Sequence, residues 1–409
     1  MRPLLFAFCA LLASSAVHAE TPPAFVLKWG GFGSGDGQFA VNGPDGVAVG
    51  PAGDVYVCDY NGHRIQRFDA AGTFLGTWGT SGSGNGQFAL PYAIAVEQST
   101  GNVYVTDINL LRIQKFTKDG VFLLKWGSSG TDTSQFFFPK GIAVGPDGSV
   151  YVTDAAQNRV QKFDAKGHYL LQWGSQGAGD GQFNSCAGIA VGLAGNVYVA
   201  DFSNGRVQRF DANGVFLSQW GVIGTGDGQL DGPEFMATDA AGNVYLDNEY
   251  NYRVQKFDSN GGFLSTWGSG GTGNGQFVLI TGVAVGPQGY IYVGDNNRND
   301  VQMFAPVTVD ADTPTPPRFA LSASVPNPIT RDGGFAFDLP ASAVVTASIY
   351  DASGRVERRL IDHERRAPGT QHLSWDGRDQ SGARVGAGLY FLRVTGPGFE
   401  GVTKAVVVR

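Results

Sequence analysis

An aspartate stands five residues ahead of an arginine at four places in the chain: Asp59 and Arg64, Asp107 and Arg112, Asp154 and Arg159, Asp201 and Arg206. Placed across a tight turn, a carboxylate and a guanidinium at this spacing can meet in a charge-assisted hydrogen bond. A pair repeated in this way holds structure together and is not expected to react. Two further stretches break the rule. One has Asn248 before Arg253, with Asp247 a place early; the other sets Asp295 against Asp300, where Arg298 can substitute. Departures from an internal rule point to specialised function. Groups suited to catalysis are scarce. Between residues 20 and 306 the histidines are His63 and His168, expected on opposite faces, and no nucleophile elbow or Ser-His-Asp series is found. Cys58 and Cys186 fall in strands on different sides of the fold, too far apart for a disulfide, whose Cα atoms must lie within about 7 Å. This inventory assigns no catalytic residue, no metal site and no cofactor.

Glycine-rich stretches of the form G-x-G-[DN]-G-Q-[FL], such as Gly33 to Phe39, invite a phosphate-binding reading. No helix follows them to offer an N-terminus, and calcium would need an EF-hand spacing that is absent. The loop recurs through the chain, so it reads as a packed connection.

These residues must be positioned by a repeat. Its cleanest copy runs from Gly188 to Gly221, where the apolar runs GIAV, NVYVA, RVQRF and VFLSQW are separated by Gly, Asn or Asp. That is the pattern of four antiparallel strands, a to d, joined by tight turns. Trp29, Trp78, Trp126, Trp173, Trp220 and Trp267 mark six copies, and Tyr56, Tyr104, Tyr151, Tyr198, Tyr245 and Tyr292 keep the same phase. Units of about 47 residues that cannot bury both faces alone stack radially into a propeller. The phase predicts how the ring closes. The chain opens on a lone strand d, residues 25–29, and its last copy ends after strand c, near Phe304. The lone strand should complete blade 6 and hide two sheet edges.

The signature G-x-V-Y-V-x-D-x-x-N-x-R-[VI]-Q-[KR]-F-D resembles the NHL repeat over residues 25–304. The resemblance implies a six-bladed β-propeller. Some propellers of this kind bind RNA through basic faces, but residues 20–306 carry 16 Lys and Arg against 25 Asp and Glu. That acidic balance argues against nucleic acid. Relatives of the fold include lyases and lactonases, so the alternative to a binding role is a metal-dependent propeller lyase or lactonase-type hydrolase.

Residues 1–19 read as a secretory signal peptide: Arg2, an apolar run from Leu4 to Val17, then Val17-His18-Ala19. Residues 20–304 form the propeller and 305–318 a Pro/Thr-rich linker. Residues 319–409 hold short alternating strands that suggest an immunoglobulin-like β-sandwich. The series Pro326-Asn327-Pro328, Ile349-Tyr350-Asp351, Gly354-Arg355, Trp375-Asp376-Gly377 and Gly388-Leu389-Tyr390-Phe391 resembles the C-terminal sorting domain of type IX secretion cargo and the immunoglobulin-like domain of the flagellar hook-capping protein. It implies recognition by outer-membrane secretion machinery and delivery to the outer surface of a Gram-negative cell, or beyond it. The fold class is therefore all-β, a six-bladed propeller followed by a small sandwich, and the chain is expected to be a monomer.

The d–a and b–c connections of an antiparallel blade emerge on one face. At the start of strand a the six copies place Asp45, Tyr92, Lys140, Ala187, Glu234 and Thr281, which differ where their neighbours repeat. They are expected to ring the axial mouth. The b–c turns add Tyr60, Leu110, Leu111, Phe202, Glu249, Tyr250 and Tyr252, more apolar than a solvated turn requires. Exposed aromatics with interspersed charge suit recognition of a protein or glycan. The irregular fifth copy directs attention to Glu234, Glu249 and Tyr250.

Overall fold

A computed structural model describes residues 20–306, 320–321, 329, 333–339, 342–367, 369–396 and 399–408. The proposed signal peptide and nearly all of the linker lie outside the described residues, as do Pro326-Asn327-Pro328. The chain divides into two compact units, one up to Val307 and one from Thr308.

The first unit is a ring of six four-stranded antiparallel sheets. Blade 1 has strands Val47–Val49, Val55–Asp59, Arg64–Phe68 and Phe74–Trp78. Blades 2 to 5 repeat this order through Trp126, Trp173, Trp220 and Trp267. Blade 6 takes Ile280–Val285, Ile291–Asp295 and Asp300–Phe304 as strands a to c, and Phe25–Gly30 as strand d. The closing pair is antiparallel, with Phe25 opposite Phe304 and Trp29 opposite Val301.

Packing between blades explains the repeated aromatics. Each strand-d tryptophan lies against the strand-c phenylalanine of the next blade: Trp29 on Phe68 at 5.7 Å, Trp126 on Phe163 at 5.6 Å, Trp267 on Phe304 at 5.9 Å between ring centroids. The next blade's c–d turn places a glycine under the indole, as at Gly72 beneath Trp29, with φ +80°. A side chain there would strike the ring and strain the turn at once. Blade 6 has no such turn, because the chain enters and leaves at that point. Residues 20–24 take its place: the Glu20 N–H donates to the Leu264 carbonyl at 2.6 Å and Lys256 pairs with Glu20 at 2.5 Å.

The charged signature forms a clamp on the glycine-rich connection. Arg64 meets Asp59 at 2.8 Å and donates to the carbonyls of Ser34, Gly35 and Gln38. Gln66 accepts from the Gly37 N–H and donates to the Gln38 carbonyl, while Asp59 accepts from the Ala40 N–H. The pairing recurs at Arg112–Asp107 (3.9 Å), Arg159–Asp154 (3.5 Å) and Arg206–Asp201 (2.7 Å). In blade 6 Arg298 bonds Asp300 at 3.0 Å and lies 3.9 Å from Asp295. The connection is thus a caged crossover whose polar backbone groups are satisfied from within. Cys58 and Cys186 are buried and free.

The second unit has a sheet of Ala320–Leu321, Gly333–Leu339 and Gly369–Trp375. A second sheet orders Val356–Arg366, Ala343–Asp351, Gly388–Gly396 and Phe399–Val407. Its core centres on Trp375, which packs on Tyr390 at 5.2 Å, with Phe335, Phe337, Ile349 and Leu392.

Candidate functional site

The axis of the propeller is layered, and the layers follow the sequence of strand a. Gly46, Ala93, Gly141, Gly188, Phe235 and Gly282 share one register. At the four glycines, neighbouring blades touch backbone to backbone. A methyl group on Gly46, Gly141, Gly188 or Gly282 would collide with the carbonyl oxygen of Tyr92, Ala187, Glu234 or Asp45 respectively. Blades 2 and 5 break the rule. Phe235 reaches across the axis to Tyr92, 5.5 Å between ring centroids, and packs with Ala93 and Ala95. It closes the channel. Sequence reasoning passed over Phe235, although a bulky ring at a position otherwise held by Gly or Ala was a visible signal.

One residue below that layer lie Asp45, Tyr92, Lys140, Ala187, Glu234 and Thr281. They were expected to ring an open mouth; the structure instead makes most of them a plug. Asp45, Ala187, Glu234 and Thr281 are buried, and Tyr92 and Lys140 nearly so. The reason is the narrowness of six converging strands, which leaves side chains no room but to meet. The Tyr92 hydroxyl donates to Glu234 across the axis, from blade 2 to blade 5. Lys140 pairs with Glu234 at 2.9 Å and its ammonium lies 4.9 Å from the Phe202 ring centroid. Asp45 accepts from Asn296 at 2.9 Å, and Thr281 donates to the Pro44 carbonyl at 2.7 Å. Asp247, the shifted acid of blade 5, accepts the N–H groups of Glu234 and Phe235. It thereby takes the place that the Thr106 hydroxyl fills for Ala93 in blade 2.

Several carboxyls therefore share one buried region with a single ammonium, and burial works against their ionisation. Burial, followed by the charge of Glu234 and a hydrogen bond to it, pushes Glu249 up to about 8. Burial raises Asp45 and Asp247 as well, with Glu234 adding to both. The sign of the pH effect follows. The folded chain keeps a proton on Glu249 that the unfolded chain releases near pH 4.3, so stability falls as pH rises from there to about 8. The melting temperature should drop between pH 5 and 8.5, and Glu249→Gln should flatten that slope without abolishing it, since Asp45 and Asp247 act in the same direction. Identical slopes in the two proteins would place the proton elsewhere.

The plug does not face the axial cavity. A cavity of about 580 Å³ opens along the axis, but its lining begins one residue past the closing layer, at Val47, Ile94, Ile142, Ile189, Met236 and Val283. None of Tyr92, Lys140, Glu234 or Glu249 lines it. Among the described residues, no three His, Cys, Asp or Glu side chains converge as a metal site. His63 faces the Ala89 carbonyl at 2.6 Å and His168 pairs with Asp164 at 2.9 Å, in different turns.

The outer surface of the plug face is different. Tyr250 and Tyr252, from the b–c turn of blade 5, are exposed, and so are Phe32, Val41, Phe137, Val222 and Ile223 from the d–a connections of this face. Phe202 meets Tyr250 edge-on at 5.9 Å, and Tyr250 lies over Gly232. Tyr60 is half-buried and packs edge-on against Tyr92 at 6.2 Å; Leu110 and Leu111 are also half-buried. Of the residues expected to bind, Glu249, Tyr250, Tyr252 and Phe202 thus share one accessible sector, with the plug beneath it.

Comparison with known proteins agrees with the architecture. Residues 41–68 match the NHL repeat, residues 95–226 the SMP-30/gluconolactonase/LRE-like region, and residues 327–398 the FlgD Ig-like domain. A stretch of 47 residues is 53% identical to a B-box type zinc finger protein, ncl-1, of Caenorhabditis elegans; the match spans 12% of this chain and 5% of that protein. Among solved structures, a protein of unknown function from Bacteroides thetaiotaomicron is similar at 15% identity and a TM-score of 0.54, over 68% of this chain and 74% of the other. A streptogramin B lyase is similar at 14% identity and a TM-score of 0.50, over 68% of this chain and 96% of the other. The chain is an all-β protein, a six-bladed propeller with an NHL-matching repeat, followed in sequence by a domain that matches the FlgD Ig-like model.

Proposed function

We propose that this chain is an exported, non-catalytic propeller that binds a protein partner on the face formed by its d–a and b–c connections. The observation that carries the reading is the sector of blades 4 and 5 on that face, where Val222, Ile223, Tyr250 and Tyr252 are exposed, Tyr250 packs on Phe202, and Ile223 lies over Gly205 of the neighbouring turn. Contiguous exposed apolar surface marks an interaction site, and Tyr is enriched among residues that dominate binding energy. The aliphatic members favour a protein over a glycan, whose sugars stack on aromatic rings. The enzymatic alternative, a metal-dependent lyase or lactonase-type hydrolase, draws on the matched region and on the lyase fold likeness. It is less well supported, because none of Asp45, Glu234, Asp247 and Glu249 lines the axial cavity.

The test is an array of extracellular proteins and glycans probed with the full chain. Tyr250→Ala combined with Ile223→Ser should weaken capture of a protein by at least about tenfold, with the melting temperature held. Capture that survives the double substitution would move the site off this sector.

We further propose that the N-terminal segment directs export and the FlgD-type domain directs delivery to the outer cell surface, through outer-membrane secretion machinery. Deleting residues 319–409 should leave folded propeller in the periplasm. Normal surface display of the shortened chain would reject this role.

A further inference from the structure

The axial cavity opens on the face opposite the exposed apolar sector, and nothing in the binding role above uses it. Each blade contributes the segment that follows the closing layer: Val47–Val49, Ile94–Val96, Ile142–Val144, Ile189–Val191, Met236–Thr238 and Val283–Val285. The volume of about 580 Å³ falls within the range of about 300–1,000 Å³ that accepts one small molecule. Beyond the inner end Phe235 meets Tyr92 across the axis, so the cavity is a cup and a chain cannot thread through it.

The walls also set the ligand's charge. The acidic groups nearest the rim are already engaged. Asp239 accepts from the N–H groups of Ala241 and Asn243, from the Asn243 side chain and from the Tyr245 hydroxyl. Glu97 accepts from Ser99, Asn102 and Tyr104 and lies 3.8 Å from Lys115. Gln98 and Thr238 donate to the carbonyls of Val49, Val96 and Val191 on the innermost strands. An anionic ligand would lose its hydration and meet the Asp239 carboxylate among the lining residues in place of a cation, at a cost that apolar contact does not offset. The strand edges facing the axis still offer backbone groups, enough for a few hydrogen bonds. At the mouth, Leu193 is 67% exposed, and Pro146 and Pro287 also belong to the lining.

We propose that this cup binds a single neutral, predominantly apolar small molecule bearing few hydrogen-bonding groups. The experiment titrates the full chain with Nile red, a neutral environment-sensitive dye. Saturable binding at one site with blue-shifted emission is expected. Ala237→Trp, at a half-buried wall position, fills the cup, and Leu193→Asp charges its mouth without touching the core. Each should weaken binding at least tenfold, whereas Tyr250→Ala with Ile223→Ser should leave it unchanged. Anilinonaphthalene sulfonate, an anionic probe, should bind at least tenfold more weakly than Nile red. Absent saturation, undiminished binding in the Leu193→Asp variant, dye binding lost only through the Tyr250 pair, or equal affinity for the anion would each overturn the proposal.

Discussion

A chain that begins at residue 31 should lose cooperative unfolding. The strand Phe25–Gly30 supplies the outer edge of blade 6, and its removal exposes the edge of Asp300–Phe304 along its whole length. It also removes Trp29, which packs on Phe68 of blade 1 and Tyr292 of blade 6 and so bridges the first blade to the last. Loss of one such aromatic costs about 3–5 kcal/mol, a large share of a marginal total. Trp29→Ala alone should therefore lower the unfolding midpoint sharply, and the shortened chain should melt broadly or aggregate. An unchanged melting curve for the shortened chain would refute closure by this strand.

Arg206→Ala should be the most damaging substitution among the charged repeats. Asp201 is fully buried and accepts from Arg206, Asn204, Gln208 and the Asn184 N–H. Arg206 also serves the carbonyls of Gly179 and Gln182. Removing it leaves a buried carboxylate without its cation, at about 3–5 kcal/mol. Blade 5 offers an internal control. Its aspartate is replaced by Asn248, so Arg253→Ala strands no charge and should cost about 1–3 kcal/mol. Urea unfolding of the two variants decides the matter: equal losses would mean that the arginines act through their carbonyl contacts and not through the acid.

The fold was legible because its governing residues repeat. Six tryptophans in phase report six copies of one packing contact, and the lone first strand fixes where the ring closes. The glycine-rich loop reads in sequence as a packed connection, but its purpose emerges only in three dimensions, where Arg64 and Gln66 cage it from strand c. The axial residues were harder to read. The position of Glu234 in the repeat marks it as variable, but variability alone does not distinguish a solvated mouth from a filled one. That depends on how closely the six inner strands approach, which the glycines at 46, 141, 188 and 282 control through backbone contacts. Phe235 was missed because a phenylalanine beside apolar residues looks like ordinary core until it is compared with the glycines in its own register. Exposure in the blade 5 turn could not be read locally either, since Phe202 and Tyr250, equally apolar in sequence, differ in how far they are covered.

The seam of the ring has a mechanical consequence. The Ala305 N–H donates to the Ala24 carbonyl at 2.8 Å, so the chain enters and leaves the propeller side by side. Tension applied between those two points does not shear the closing strands along their length. It peels them from one end, loading the pair Phe25 and Phe304 first and each following pair in turn. Bonds that break singly resist far less force than the same bonds loaded together. The junction that closes the ring at equilibrium is therefore the one that a pull on its two ends opens first.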